Sequence, residues 1–122
     1  MWEKNQKTLN SEVTFSGIGL HSGEKVEVKL VPANSGAGII FKRIDLKKNN
    51  EIDANFKNVS SAKLCTKIQN NFGVSVSTIE HLMAAFYICG IDNILVKLNG
   101  PEVPIMDGSA KDFVKIIRSC GM

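Results

Sequence analysis

Glu80 and His81, neighbours at the start of a predicted helix, are the residues of this chain best suited to chemistry. A histidine there can bind a metal ion, and the adjacent carboxylate can take a proton from metal-bound water. Glu80 also follows Ser77 by three residues, the spacing of a capping box, so a role as a helix cap is the alternative. His81, as a single histidine, has a structural alternative too. The pair predicts metal-assisted acid–base chemistry, with a structural interpretation left open.

A metal site built around His81 is short of ligands. Catalytic zinc normally takes three protein ligands, but the chain contains 2 histidines and no HExxH sequence. The second histidine, His21, lies in the glycine-rich segment Gly17 to Gly23, where it can serve a site or lie on the surface. Two copies of the chain could also combine His21 and His81 across a symmetric dimer. A Zn²⁺ site built around His81 would therefore be incomplete in one copy of the chain.

The glycine-rich segment and the cysteines indicate no further chemistry. Gly17 and Gly19 lack the third glycine and the following helix that a dinucleotide-binding fold requires. Cys65 has no basic neighbour in sequence that would activate its thiol. Cys65, Cys89 and Cys120 form no CxxC pair, which argues against disulfides and structural zinc and favours a reducing compartment.

Short strands must position most of these residues. Val26, Val28 and Leu30 alternate with charged residues, as in a half-buried strand, and Thr8 to Phe15 is the predicted hairpin partner. Further strands are predicted at Gly38 to Arg43, Asp53 to Val59, Leu64 to Gln69, Val74 to Val76 and Ile91 to Leu98.

Two helices complete the predicted elements. Ser77 opens the first and Gly90 caps its end, while Ser109 and Asp112 open a second that continues to Gly121. This order predicts one α+β domain over residues 1–122. We expect a two-layer sandwich, in which a mostly antiparallel sheet carries both helices on one face.

Composition and charge narrow the classes of function. The net charge is +3, and the basic excess lies mainly between Lys42 and Lys48, a pattern more typical of a solvated loop than of a nucleic-acid interface. The apolar run Leu82 to Cys89 falls far short of the roughly 20 residues that span a membrane. No secretory signal follows Met1. We expect a soluble, cytoplasmic chain with no nucleic-acid partner and no membrane span.

A small α+β module that binds RNA or a protein partner without catalysis is the alternative. Its sheet or its basic loop would form the interface. The chain has 1 Trp, 1 Tyr and 6 scattered Phe, and it lacks the aromatic signature of an RNA-binding sheet. Salt-dependent retention on immobilised RNA would distinguish this alternative from an enzyme.

Four segments, taken in order along the chain, carry a resemblance to a known family. They are Ser16-Gly17-Ile18-Gly19-Leu20-His21-Ser22-Gly23, Leu64-Cys65-Thr66, Ser77-Thr78-Ile79-Glu80-His81-Leu82-Met83-Ala84-Ala85, and Gly90-Ile91-Asp92-Asn93 continued by Pro101-Glu102-Val103-Pro104-Ile105-Met106-Asp107-Gly108-Ser109-Ala110. On these residues the chain resembles the zinc-dependent UDP-3-O-acyl-N-acetylglucosamine deacetylases of lipid A biosynthesis.

The resemblance implies a reaction and roles for five residues. The reaction is hydrolysis of the N-acetyl group of UDP-3-O-acyl-N-acetylglucosamine, which releases acetate and a free amine. His81 is implied as a ligand of the zinc ion and Glu80 as the catalytic general base acting on zinc-bound water. His21 is implied near the substrate, with Lys63 and Cys65 bordering the mouth of the site, so these three are expected to bind substrate.

The resemblance also implies that residues 1–122 correspond to the N-terminal domain of a two-domain enzyme. Family members are about twice this long, with the active site between two similarly folded domains. The other zinc ligands, the proton-donating histidine, the threonine that supports the oxyanion and the passage for the acyl chain belong to the C-terminal domain, which is absent here. We therefore expect a hydrolase domain that does not turn over substrate without that partner domain.

Overall fold

The alternating and helical patterns of the sequence fold into strands and two helices. The computed structural model describes residues 6–55, 59–60, 66–106 and 110–121. Within these ranges the elements are β1 (Val13–Ile18), β2 (Lys25–Pro32), β3 (Ile39–Arg43), β4 (Glu51–Asp53), β5 (Val59–Ser60), β6 (Lys67–Gln69), β7 (Ser75–Ser77), α1 (Glu80–Cys89), β8 (Ile94–Leu98) and α2 (Lys111–Cys120). Neither described helix is long and apolar enough to cross a membrane.

A five-stranded sheet forms the body of the described structure, in the order β1-β2-β8-β3-β4. Its neighbouring strands are antiparallel except β3 and β8, which run parallel. Although β8 comes late in the chain, it occupies the centre and joins the β1–β2 hairpin to the β3–β4 hairpin. A smaller antiparallel sheet, β5-β6-β7, leads directly to α1. The predicted mostly antiparallel sheet is confirmed.

One face of the large sheet is buried because its central strands alternate apolar and polar side chains. Val28 and Leu30 of β2 and Val96 of β8 are fully buried. Lys29 and Lys97, which are partners across β2 and β8, point to the opposite face. The helices cover the apolar face with the side chains Leu82, Ala85, Phe86 and Cys89 of α1 and Phe113 and Ile117 of α2. The predicted α+β class is confirmed, and the buried side chains of both helices share one core with those of the sheet.

Strand β1 lies further along the chain than the predicted partner, Thr8 to Phe15, and includes Gly17 and Ile18. The segment after β8 explains the shift, because Ile105 N donates to Ile18 O at 2.9 Å and keeps this part of the chain extended. The two segments approach so closely that a Cβ on Gly17 would lie 3.0 Å from Pro104 Cβ. Only the second half of the glycine-rich segment therefore forms a loop.

The predicted capping box at the start of α1 is wrong. The helix begins at Glu80 with Ile79 as its N-cap residue, and no side chain caps it. Ser77 is the last residue of β7, where its N–H donates to Pro101 O at 2.8 Å and its carbonyl accepts from Val103 N at 3.0 Å. Pairing with the segment after β8 keeps Ser77 out of the helix and leaves the Glu80 carboxylate available for other contacts.

The ends of the helices agree with the sequence more closely. Gly90 ends α1 with left-handed backbone angles, φ 71° and ψ 30°, as its C-cap position requires. α2 begins at Lys111, with Ala110 as the N-cap residue, and Gly121 follows its last residue. Ser109, predicted to open this helix, lies outside the described residues.

Candidate active site

Glu80 is the first residue of α1, and its carboxylate turns toward the start of β6. Its Oε1 accepts a hydrogen bond from Thr66 N at 3.3 Å. No donor among the described residues reaches Oε2. A helix N-terminus is also a favourable place for a negative charge. Glu80 therefore has one anchored oxygen and one that can accept a proton.

Thr66 anchors the start of α1 through its backbone. Its carbonyl accepts hydrogen bonds from Thr78 N at 2.8 Å and from Ile79 N at 3.4 Å, while its N–H donates to Glu80. The turn that precedes the helix and the Glu80 side chain are thus tied to the same residue beside β6. A neighbouring strand, rather than a helix cap, sets the position of the carboxylate.

His81 is the second residue of α1 and lies beside the buried line of the helix. Leu82 and Phe86 face the core, whereas His81 is half-buried. Within the described part of the chain, its imidazole makes no hydrogen bond or ion pair. The ring is therefore available to a ligand.

The open side of α1 becomes apolar beyond the first turn. Tyr87 is 88% exposed and Ile88 is 57% exposed, although both are large side chains. Residues four apart share a face of a helix, so Glu80, Ala84 and Ile88 form one stripe. The Glu80 side chain and an exposed apolar surface therefore lie on the same side of the helix.

A cavity of about 260 Å³ borders Glu80. Ile68, Ile79 and Met83 supply apolar walls, and Thr66 contributes to the polar edge together with Glu80. An apolar part of a ligand can enter this space beside the carboxylate.

His21 lies in the loop between β1 and β2, where Glu102 holds its backbone. The His21 N–H donates to both carboxylate oxygens of Glu102, at 3.2 Å to Oε1 and 3.0 Å to Oε2. The ring Nε2 lies 4.0 Å from Oε2, and the His21 side chain is 42% exposed. No hydrogen bond or ion pair joins His21 directly to Glu80 or His81 within the described ranges. The structure connects them indirectly, through Glu102 and the turn before α1.

Glu102 is the residue of this site that sequence reasoning missed. Its side chain is 3% exposed, and it also accepts hydrogen bonds from Ser22 N at 3.1 Å and Thr78 Oγ1 at 3.0 Å. Burial raises the pKa of this carboxyl, but the hydrogen bonds from His21, Ser22 and Thr78 outweigh burial and hold the pKa below its usual 4.5. The available signal was a single acid between Pro101 and Val103, in an otherwise apolar segment.

Thr78 precedes α1 with a strained backbone, at φ 60°. Left-handed angles are rare for β-branched residues and cost about 1–3 kcal/mol. Two contacts hold the residue there: its N–H donates to Thr66 O, and its hydroxyl donates to Glu102. These contacts hold the strained Thr78 backbone in place between the buried Glu102 carboxylate and the N-terminus of α1.

The described residues do not assemble a complete metal site. No group of three or more His, Cys, Asp or Glu side chains in the described ranges could hold a metal ion. His81 can supply one nitrogen donor, whereas Cys89 is buried in the core side of α1. This donor set fits one coordination position of a zinc ion and not a whole centre.

Two predicted substrate-binding residues, Lys63 and Cys65, lie outside the described residues. Their predicted place at the mouth of the site stays a prediction. Thr66, which follows them, is described and contacts Glu80 through its backbone.

Nearly the whole chain matches known proteins in sequence. A family model described as LpxC: UDP-3-O-acyl N-acetylglycosamine deacetylase matches residues 6–122. Similar curated proteins named UDP-3-O-acyl-N-acetylglucosamine deacetylase occur in Geotalea uraniireducens (strain Rf4), with 57% identity over 116 residues, and in Blochmanniella floridana, with 50% identity over 118 residues. These alignments cover 95% and 96% of this chain but 38% and 40% of the relatives, so the chain spans about two fifths of their length.

The extent of these matches, together with the α+β fold and the Glu80–His81 pair at the start of α1, decides the family. The chain belongs to the UDP-3-O-acyl-N-acetylglucosamine deacetylase family.

Proposed function

We propose that this chain is the N-terminal domain of a zinc-dependent UDP-3-O-acyl-N-acetylglucosamine deacetylase, with Glu80 as general base and His81 as one zinc ligand. The observation that carries the proposal is the placement of both residues at the open end of α1, where no described residue engages Glu80 Oε2 or the His81 ring. The names of the curated relatives support the choice of substrate.

Glu80 acts by holding a proton acceptor in a fixed place. The Thr66 N–H anchors Oε1, which leaves Oε2 to take a proton from the attacking water. Zinc, when bound to the whole enzyme, supplies Lewis-acid activation of water. The apolar cavity beside Glu80 gives room for an apolar part of the substrate next to the carboxylate.

His21 serves substrate binding in this proposal. Its imidazole is 42% exposed, and a ring N–H can donate to a phosphate or hydroxyl oxygen of a UDP-sugar. Lys63 and Cys65 are proposed to border the same site. Because Glu102 holds the backbone of His21, the ring stands on an anchored loop.

A second part of the protein is required to complete the site. Catalytic zinc normally takes three protein ligands, and the described residues contain no cluster of three. Since this chain covers 38% of the Geotalea uraniireducens relative, we assign the other ligands to the remaining length of such a protein. The chain alone is expected to be inactive. No observation favours the RNA- or protein-binding alternative over a family match that spans residues 6–122.

Deacetylation of UDP-3-O-acyl-N-acetylglucosamine in the presence of Zn²⁺ tests the proposal. The assay compares this chain alone with a chimera in which it replaces the matching part of the Geotalea uraniireducens relative. We expect activity only from the chimera, and loss of activity in Glu80→Ala and His81→Ala. The exposed Glu27 provides a matched control, so Glu27→Ala should retain activity.

Zinc content separates the two proposed roles. His81→Ala should lower the amount of zinc bound per chimera, whereas Glu80→Ala should leave it unchanged, because a base is not a ligand. Activity from the chain alone would contradict the argument from ligand number. A folded chimera that binds zinc but does not deacetylate this substrate would overturn the proposed function.

A further inference from the structure

We infer that Glu102 is a positioning residue for this deacetylation, because its carboxylate ties the loop that carries His21 to the turn that precedes Glu80 and His81. The reaction in this inference rests on the proposed function. The link itself rests on the hydrogen bonds and burial of Glu102.

The carboxylate joins two segments that are far apart in sequence. From the β1–β2 loop it accepts the N–H groups of His21 and Ser22, and from the turn before α1 it accepts the hydroxyl of Thr78. Oε2 receives both His21 N and Thr78 Oγ1, each at 3.0 Å. One oxygen atom therefore bridges the two segments directly.

The backbone of the β1–β2 loop forms a binding place for the Glu102 carboxylate. Successive backbone N–H groups in a turn form a concave binding place for an anion, and here Glu102 fills it. A Cβ on Gly19 would collide with Glu102 Oε1 and Ser22 Oγ, so a larger residue at this position would displace the carboxylate from the loop. The Gly19 carbonyl also accepts from Gly23 N at 2.9 Å, which closes the loop around the carboxylate.

The backbone of Glu102 is fixed independently of its side chain. Glu102 forms a parallel bridge with Ser77, and Val103 N donates to Ser77 O at 3.0 Å. Replacement of the carboxylate by an amide leaves one acceptor oxygen and no negative charge, and therefore weakens the link between the two segments while the strand pairing stays in place.

The link through Glu102 affects the position of the His21 side chain. Its ring Nε2 lies 4.0 Å from Glu102 Oε2, while 42% of the side chain remains exposed to a ligand. The same carboxylate accepts the His21 backbone N–H, so it fixes the point of the loop from which the ring projects. Glu102 thus sets where His21 stands relative to α1. A displacement of about 1 Å in a substrate-positioning group can cost roughly 100-fold in rate.

Amide hydrogen exchange on the ¹⁵N-labelled chain tests the link without any activity. The variant is Glu102→Gln, and the control is Glu24→Gln, which removes the same charge from an exposed residue of the same loop. We expect Glu102→Gln to speed exchange of the His21 and Ser22 amides about tenfold or more, with the β8 amides unchanged. Glu24→Gln should change neither set. Unchanged protection of His21 and Ser22 in Glu102→Gln would overturn the inference.

Steady-state kinetics of the chimera test the consequence for the reaction. We expect Glu102→Gln to lower kcat/KM by roughly 10- to 100-fold, with bound zinc unchanged, since Glu102 does not contact His81 within the described structure. A purely structural role would only reduce the folded fraction and would leave KM and kcat per folded molecule unchanged. Glu102→Gln with kcat/KM within about twofold of wild type would overturn the inference.

Thr78 gives a second pair of variants in case Glu102→Gln does not fold. Thr78→Ser keeps the hydroxyl that donates to Glu102, and Thr78→Val removes it at nearly the same volume. Only the valine variant should lose kcat/KM, and equal activity of the two would overturn the inference. A folded wild-type chimera that binds zinc but is inactive would overturn the proposed function, and this failure is distinguishable because the exchange experiment does not depend on activity.

Discussion

The Glu102 carboxylate can keep its negative charge although it is buried, because hydrogen-bond donors of the protein replace the water molecules that it loses on folding. The donors are the His21 and Ser22 amides and the Thr78 hydroxyl. A buried carboxylate without such partners would cost several kcal/mol and would be neutralised instead. The ionised form of Glu102 is therefore linked to the folded arrangement of both segments.

The stability of the chain should depend on pH through Glu102. Its pKa is lowered in the folded state, so the unfolded chain binds a proton more readily in acid. The stabilising contribution is complete well above pH 4.5, the ordinary value for this carboxyl, and is lost as the pH falls through the lower folded pKa. His21 is the titratable group that faces Glu102 among the described residues. Urea unfolding from pH 7 to pH 3 should show a shallower acid decline in Glu102→Gln than in Glu24→Gln.

Removing the Thr78 hydroxyl should destabilise the fold. Thr78→Val leaves a Glu102 oxygen without one of its donors in a buried place, which costs about 1–3 kcal/mol. Thr78→Ser keeps the donor and carries less steric strain at φ 60°, so it should match or slightly exceed the wild type. Urea midpoints measure both. A valine variant as stable as the serine variant would contradict the proposed importance of this hydrogen bond.

The sequence revealed the local part of the site and missed the long-range part. Glu80 and His81 are adjacent, so they could be predicted as site residues without a structure, and their roles stay a prediction. Glu102 lies 81 residues from His21, and only the folded chain brings them together. The capping prediction for Glu80 failed for a related reason, because pairing of Ser77 with the segment after β8 decides where α1 begins.

In the β1–β2 loop, Gly19 and Gly23 are required for different reasons. Gly19 lacks space for a Cβ, whereas Gly23 has open surroundings and a φ of 69°. Gly19→Ala should push Ser22 and Glu102 apart and speed amide exchange at His21. Gly23→Ala should cost about 1–2 kcal/mol of stability through backbone strain and leave that exchange unchanged. Similar exchange at His21 in the two alanine variants would contradict this distinction.

The elements were predictable where the pattern is local. The alternation of apolar and charged residues located β2, and Gly90 predicted the end of α1. The β-branched residues before Leu98 indicated β8. The order of the strands was not predictable, since periodicity does not indicate that β8 inserts between β2 and β3. The extension of β1 to Ile18 also depends on a partner, Ile105, that is distant in sequence.

At the scale of the whole molecule, the open side of α1 resembles a surface that normally lies against protein. Tyr87 and Ile88 are exposed there, on the side that carries Glu80. Since the chain spans about two fifths of the length of its relatives, we propose that the part of such a protein beyond the matched residues covers this side of the helix. In this proposal, the same part of the protein would also supply the further zinc ligands close to His81.

The isolated chain should self-associate through this surface. Tyr87→Lys with Ile88→Lys should lower the apparent mass at high concentration, because charges replace the apolar contact. Ile44→Lys is the control, since Ile44 is 52% exposed but lies in the β3–β4 loop. Light scattering against concentration measures the effect. A wild-type chain that stays monomeric would show that this surface does not drive association.

The central position of β8 also has a consequence for the order in which the protein can fold during synthesis. The β1–β2 and β3–β4 hairpins emerge from the ribosome first, but each has an unpaired edge until residues 94–98 follow, and α2 emerges later still. The five-stranded sheet is complete only when β8 pairs with β2 on one side and with β3 on the other. A ribosome that stalls before this strand would hold two separate hairpins, so the last third of the chain decides whether the first two thirds become a domain.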